Sequence, residues 1–161
     1  MVDDRQPVKG ASRGVRRLTP GEAKSLLDLG YAYVDVRSVA EFEDLHPTGA
    51  LNVPLHAPGP RGAPPSTAEF LTAMGRIFAK DAKIVVGCAT GVRSLRAAEL
   101  LLGAGFTDVV EQRGGMDGAR GPFGNLVDAG WAQAGLPVSS GPDAGSWARL
   151  QGSVDAERAR S

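Results

Sequence analysis

The chain has 161 residues, with 18 basic and 18 acidic side chains and one cysteine. The charge balance argues against a dedicated nucleic-acid binder, which carries a basic excess, and no apolar run approaches the ~20 residues of a membrane-crossing helix. A lone cysteine excludes an intramolecular disulfide and a cysteine-based zinc site, and it suits a reducing compartment, the cytosol by default.

Met1 to Arg17 is polar and basic, lacks the apolar core of a secretory signal, and reads as a flexible leader. Thr19-Pro20-Gly21-Glu22 is a helix start: Thr19 caps, Pro20 suits the first turn, and Glu22 stands where a capping box wants a carboxylate. Ala23, Leu26 and Leu27 continue at helical spacing until Gly30. Tyr31 to Val36 is an apolar run broken by Asp35, the pattern of a strand buried on both faces. Val39, Phe42 and Leu45 give a short helix closed by Pro47 and Gly49, and Ala50 to Val53 a brief strand. His56 to Pro65 is a Gly- and Pro-rich loop. Ser66 caps a helix with the stripe Phe70, Met74, Ile77 and Phe78. Ala82 to Val86 is a second buried strand, and it runs into Gly87-Cys88. A helix follows with Leu95, Ala98 and Leu102 inside, then a strand at Val109 and Val110 before Gly114-Gly115.

Strands alternating with helices predict an α/β domain over 18–138. Its core is a mostly parallel sheet of about five short strands with helices on both faces. Ligands bind such sheets at the carboxyl ends of strands, and Cys88 falls at one of them. Residues 139–161 are Ser-, Gly- and Arg-rich and read as a flexible tail, with a frayed helix near Trp147.

The informative stretch is Val86-Gly87-Cys88-Ala89-Thr90-Gly91-Val92-Arg93-Ser94. A buried strand delivers a cysteine to a tight loop, and a helix begins at once. Amides at a helix start are unpaired and, with the helix dipole, form an anion cradle. A sulfur inside that cradle is favoured as thiolate. Arg93 adds a cation, Gly91 permits the turn, and Ala89 and Thr90 are small enough to leave the sulfur reachable. Asp35, inside an apolar strand, needs a partner and is expected to brace the active loop. Arg37 is either that partner or a surface charge. His46 is read as a turn or packing residue, His56 as an ordinary loop residue and Trp131 as a packing residue.

The segment resembles the active loop of single-domain rhodaneses, Cys-x-x-Gly-x-Arg-Ser. Other marks of that family follow in order: Val34-Asp35-Val36-Arg37, Ala40-Glu41-Phe42, His46 to Pro54, Gly114-Gly115, and Trp131 with Gly135-Leu136-Pro137. The resemblance implies a sulfurtransferase that needs no cofactor or metal. Cys88 attacks a sulfur donor such as thiosulfate and becomes a persulfide, which a thiol or cyanide then relieves of its outer sulfur. It also implies a persulfide-binding loop of Ala89, Thr90, Gly91, Val92 and Arg93, supported by Ser94, Asp35 and Arg37. The expected partners are these small molecules, with no nucleic acid and no membrane; a protein sulfur donor or acceptor is left open. Two alternatives stand: a persulfide carrier or redox-sensing module that works with a partner protein, and a cysteine-loop phosphatase. Against the phosphatase, only Ala89 to Val92 separate cysteine from arginine, and Gly87 replaces the usual preceding histidine. One departure from the family is Met116, where an aromatic residue commonly follows the paired glycines. Another is the apparent insertion Asp117 to Gly130, expected to form a lid or wall near the loop.

Overall fold

The fold is given by a computed structural model that describes residues 14–57, 61 and 65–152. Strand β1 (Arg16–Leu18) leads into α1 (Pro20–Asp28), which Thr19 and Glu22 close with a reciprocal capping box. β2 (Ala32–Asp35) is followed by α2 (Val39–Asp44), where Ser38 and Glu41 form a second capping box. Short strands β3 (His46–Pro47) and β4 (Leu51–Asn52) precede α3 (Thr67–Ile77), whose N-cap is Ser66. β5 (Lys83–Gly87), α4 (Val92–Gly103) and β6 (Asp108–Gln112) complete the central unit. β7 (Ala119–Arg120) and β8 (Leu126–Asp128) make an antiparallel hairpin, and β9 (Val138–Ser139) pairs antiparallel with β3.

The main sheet has five strands in the order β1-β6-β5-β2-β4, every neighbouring pair parallel. Alternation along the strands divides the core. Val34, Val36, Ile84, Val86 and Cys88 pack on one face with Phe70 and Met74 of α3 and Ala97, Ala98 and Leu101 of α4. Tyr33, Val85 and Val110 pack on the other with Ala23 of α1, Phe42 of α2, Met116 and Trp131. This is the α/β architecture expected from the sequence, with both faces of a parallel sheet covered.

Two boundaries differ from the sequence expectation. The leader was expected to run through Arg17, yet Arg16–Leu18 is the fifth strand, paired parallel with Val110 to Gln112. Three residues with one apolar side chain carry no periodicity; pairing to β6 makes them a strand. The expected tail is also structured as far as residue 152. Ser139 pairs with His46, Asp143 meets the His46 ring at 2.7 Å, and Trp147 and Leu150 of a helical turn over 147–152 pack on the α3/α4 side of the core. Residues 1–13, most of the His56 to Pro65 loop, and 153–161 lie outside the described residues.

Candidate active site

β5 lies between β2 and β6 in the middle of the sheet, so its carboxyl end is fixed from both sides. Gly87 is a steric necessity there, since any side chain would run into the Tyr33 ring. Tyr33 is itself buried and donates to Gln112 Oε1 at 2.5 Å. Burial, first, and then nearby negative groups hold its hydroxyl well above the ordinary tyrosine range, so it stays a neutral donor. Gln112 Nε2 in turn donates to the carbonyls of Arg113 (2.8 Å) and Gly115 (2.9 Å). The glycine turn so held clamps the cysteine loop, because Met116 N–H donates to Cys88 O and Asp117 N–H to Ala89 O, both at 2.8 Å. Gly115 has φ +53°, and a side chain at this position would meet the Cys88 and Ala89 backbone.

The loop turns at Gly91, the N-cap of α4, with φ +102°, a conformation that favours glycine. That turn carries the Gly91 N–H over the sulfur, to which it donates at 3.1 Å. The Cys88 thiol donates to Ser94 Oγ at 3.2 Å. Gly91, at the N-cap, brings no side chain to cap α4, so among the described residues the first-turn amides lack that partner. The sulfur, however, is deeper than the sequence suggested. Cys88 is only 1% exposed and belongs to the apolar cluster under α3 and α4. Among the described residues one amide and one hydroxyl bond to it, where a cradle of several helix-start amides was expected. The remaining loop residues sit higher: Thr90 and Val92 are exposed, Ala89 and Arg93 partly so.

Arg93 reaches Glu41 on α2 through two hydrogen bonds of 2.7 and 2.9 Å. The Arg93 guanidinium, first, and the Ser38 amide and hydroxyl hold the Glu41 carboxyl down to about 2, against the opposing effect of burial. Arg93 is thus a paired cation at the rim of the loop. Asp35 and Arg37 are both buried and paired bidentately, with Arg37 Nη2 to Asp35 Oδ2 at 2.7 Å. Arg37 also donates to Leu45 O, and Asn52 Nδ2 bridges the carbonyls of Asp35 and Arg37. Arg37 is therefore the partner, and not a surface charge. The pair braces the corner between β2 and α2 and meets the loop through the register of Asp35 with Gly87.

Three residues of the site were missed at the sequence level. Glu41 was noted as a family mark, and its capping-box spacing from Ser38 gave no sign of a second duty toward Arg93. Glu111 sits fully buried at the end of β6, where it accepts from Ser94 Oγ at 2.5 Å and from Arg17 Nε at 2.6 Å. Arg17, assigned to the leader, also donates to Gly91 O at 3.3 Å. A glutamate directly after the apolar Val109-Val110 run, still within the buried strand, was the one signal available for the second pair. His46 packs as expected: it is buried, stacked on Phe42 with centroids 3.7 Å apart, and held by Phe42 O. Trp131 likewise packs, edge-on to Tyr33, with its Nε1 donating to Pro137 O at 2.8 Å.

Residues 19–120 match the family model described as a rhodanese-like domain. The chain is 36% identical over 118 residues to Thiosulfate sulfurtransferase 16, chloroplastic, of Arabidopsis thaliana, covering 73% of this chain and 88% of that protein. It is 26% identical over 125 residues to Thiosulfate sulfurtransferase GlpE of Haemophilus influenzae, covering 78% of this chain and 95% of that protein. Two other plant relatives are matched over half of their own length. Among solved structures, the crystal structure of Rv0390 from M. tuberculosis superposes with a TM-score of 0.62 at 25% identity, covering 78% of this chain and 97% of that one. The parallel five-stranded sheet, the cysteine loop at its carboxyl edge and these matches lead to one statement: the chain belongs to the rhodanese-like domain family.

Proposed function

We propose that this chain is a sulfurtransferase that moves a sulfane sulfur from a donor such as thiosulfate to a thiol or cyanide through a persulfide on Cys88. The observation that carries the reading is the seating of Cys88: a sulfur at the end of a central buried strand, under the Gly91 amide, at the uncapped start of α4. The relatives that bear the name thiosulfate sulfurtransferase support it.

The chemistry balances in two steps. The Cys88 thiolate attacks the outer sulfur of thiosulfate, an S–S bond forms, and the old S–S bond breaks with its electron pair leaving on sulfite. The acceptor nucleophile then takes the terminal sulfur, and the Cys88 thiolate is restored. The open amides at the start of α4 face the charge of donor and persulfide. Arg93, held by Glu41 through both Nη groups, fixes the rim of the loop, and the N–H groups that Glu41 does not take are its means of meeting an anionic donor. The persulfide cycle suits a reducing compartment, where an unpaired thiol is stable.

Intact-mass measurement after mixing with thiosulfate tests the covalent step. The chain should gain the mass of one sulfur atom, and Cys88→Ser should gain none while keeping its fold and losing transfer to background. Transfer at the normal rate by the serine variant would overturn the mechanism. Persulfide formed from a protein desulfurase but never from thiosulfate would replace it with the carrier function.

A further inference from the structure

Cys88 is only 1% exposed, so its proton has little direct contact with bulk water, yet the proposed attack needs the thiolate. The hydrogen bonds around it supply another route. Cys88 donates to Ser94 Oγ (3.2 Å), and Ser94 Oγ donates to Glu111 Oε2 (2.5 Å). The other carboxylate oxygen, Oε1, is taken by Arg17 Nε (2.6 Å), and Arg17 Nη2 holds Gly91 O (3.3 Å), the residue whose amide covers the sulfur. The chain of contacts is therefore closed, Cys88 to Ser94 to Glu111 to Arg17 to Gly91 and back to Cys88.

We propose that Ser94 and Glu111 form an internal proton relay for Cys88, so that sulfur and carboxylate share one proton through the serine hydroxyl. This inference rests on the persulfide reading of the same site. The thiol proton passes to Ser94 Oγ as the serine proton passes to Glu111 Oε2. Before transfer the pair is thiol and carboxylate; after it, thiolate and carboxylic acid, with one negative charge in both states. The proton stays on Glu111 while the S–S bond forms and sulfite leaves, so the Glu111 carboxylate adds no further negative charge beside the thiolate and its anionic donor. Arg17 is a positioning residue: by binding Oε1 it leaves Oε2 facing Ser94.

The surroundings suit this exchange. Burial holds the Glu111 carboxyl above its ordinary range, against the lowering pull of Arg17, Ser94 and the more distant Arg113. Among the described residues, the other ionisable groups near the sulfur are Arg93, paired with Glu41, Tyr33, a neutral donor near neutral pH, and, at the end of the neighbouring strand, Asp35, paired with Arg37. Arg17 lies outside the 19–120 segment matched by the family model, so one support of the relay comes from β1.

The single cysteine makes the test direct, since ultraviolet thiolate absorbance and alkylation both report position 88. In the unmodified full chain, the thiolate signal should rise with pH in two steps separated by a plateau, the mark of a proton shared by two sites. Glu111→Gln should show one step, and Ser94→Ala should lower the plateau. The rate of persulfide formation should follow the same profiles. A single step in the unmodified chain overturns the relay whatever the variants do, so the test survives a variant that fails to fold. Two steps that persist in Glu111→Gln overturn it too. Sulfur uptake by intact mass is scored separately. Uptake with a single-step profile sinks the relay and leaves the sulfurtransferase reading standing; two steps without uptake do the reverse.

Discussion

Two arginine–glutamate pairs flank one sulfur, and they behave in opposite ways. Arg93 and Glu41 meet at the rim, each about one third exposed, and the Glu41 carboxyl is held down to about 2 with the Arg93 hydrogen bonds as the leading cause. Arg17 and Glu111 meet beneath the loop with a bond just as short, yet the Glu111 carboxyl is held up, because the cost of burying its charge outweighs what arginine and serine return. The chemistry of the partners is the same; the solvent decides the sign. A rim carboxylate stays charged and orients its arginine, whereas a buried one is poised to take a proton.

Four experiments break or sharpen this contrast. The largest effect is expected from the third pair, Asp35–Arg37, in which both groups are buried. Asp35→Ala should cost about 3–5 kcal/mol in denaturant unfolding by stranding Arg37, and an unchanged midpoint would remove its bracing role. Arg17→Ala comes next, at about 3 kcal/mol, the low end for a buried pair because Arg17 itself reaches solvent. Glu111 would lose its counter-charge and rise further. A raised acid makes the unfolded chain the readier proton donor, so stability falls as pH climbs past the unfolded value. Because the Glu111 carboxyl is already raised in the unmodified chain, the Arg17→Ala deficit should grow only as pH climbs past that raised folded-state value, and a deficit flat in pH would deny that Glu111 is charged there.

Arg93→Ala should cost at most about 1 kcal/mol of stability but roughly tenfold in kcat/KM for thiosulfate, about 1.4 kcal/mol in the transition state. Equal losses in stability for Arg17→Ala and Arg93→Ala would erase the distinction between floor and rim. The smallest effect belongs to Glu41→Gln. Because the folded carboxyl is lowered to about 2, its contribution is present above the unfolded value and fades as pH falls from about 4.5 toward 2. The stability difference between the unmodified chain and Glu41→Gln should vanish over that window, and a constant difference would assign the effect to packing.

The parts legible in the sequence were those written locally. Thr19 to Glu22 spelled a capping box, Gly91 a left-handed turn, and the run into Gly87-Cys88 a buried strand ending at a site. The parts missed were long-range. Arg17 and Glu111 are 94 residues apart, and Arg93 and Glu41 are 52 apart, so neither pairing leaves a periodic trace. The depth of the sulfur was missed for the same reason: α3 and α4 bury it, and the loop sequence describes only its near side. The insertion Asp117 to Gly130 was expected as a lid or wall, and it holds the hairpin of Ala119–Arg120 and Leu126–Asp128. It is joined to the loop through Asp117, while Phe123 at its tip is 95% exposed.

β4 ends the main sheet on the side away from β1, and such a border normally invites strand addition by another molecule. Here the Asn52 amide is already engaged by Gly145 O at 2.8 Å, and Gly145 lies so close to Ala50 that no side chain fits between them. The polypeptide after β9 thus acts as a built-in selvedge. Cutting the chain after Ser139 should fray that border and raise the tendency to self-associate, which light scattering of the two chains would show.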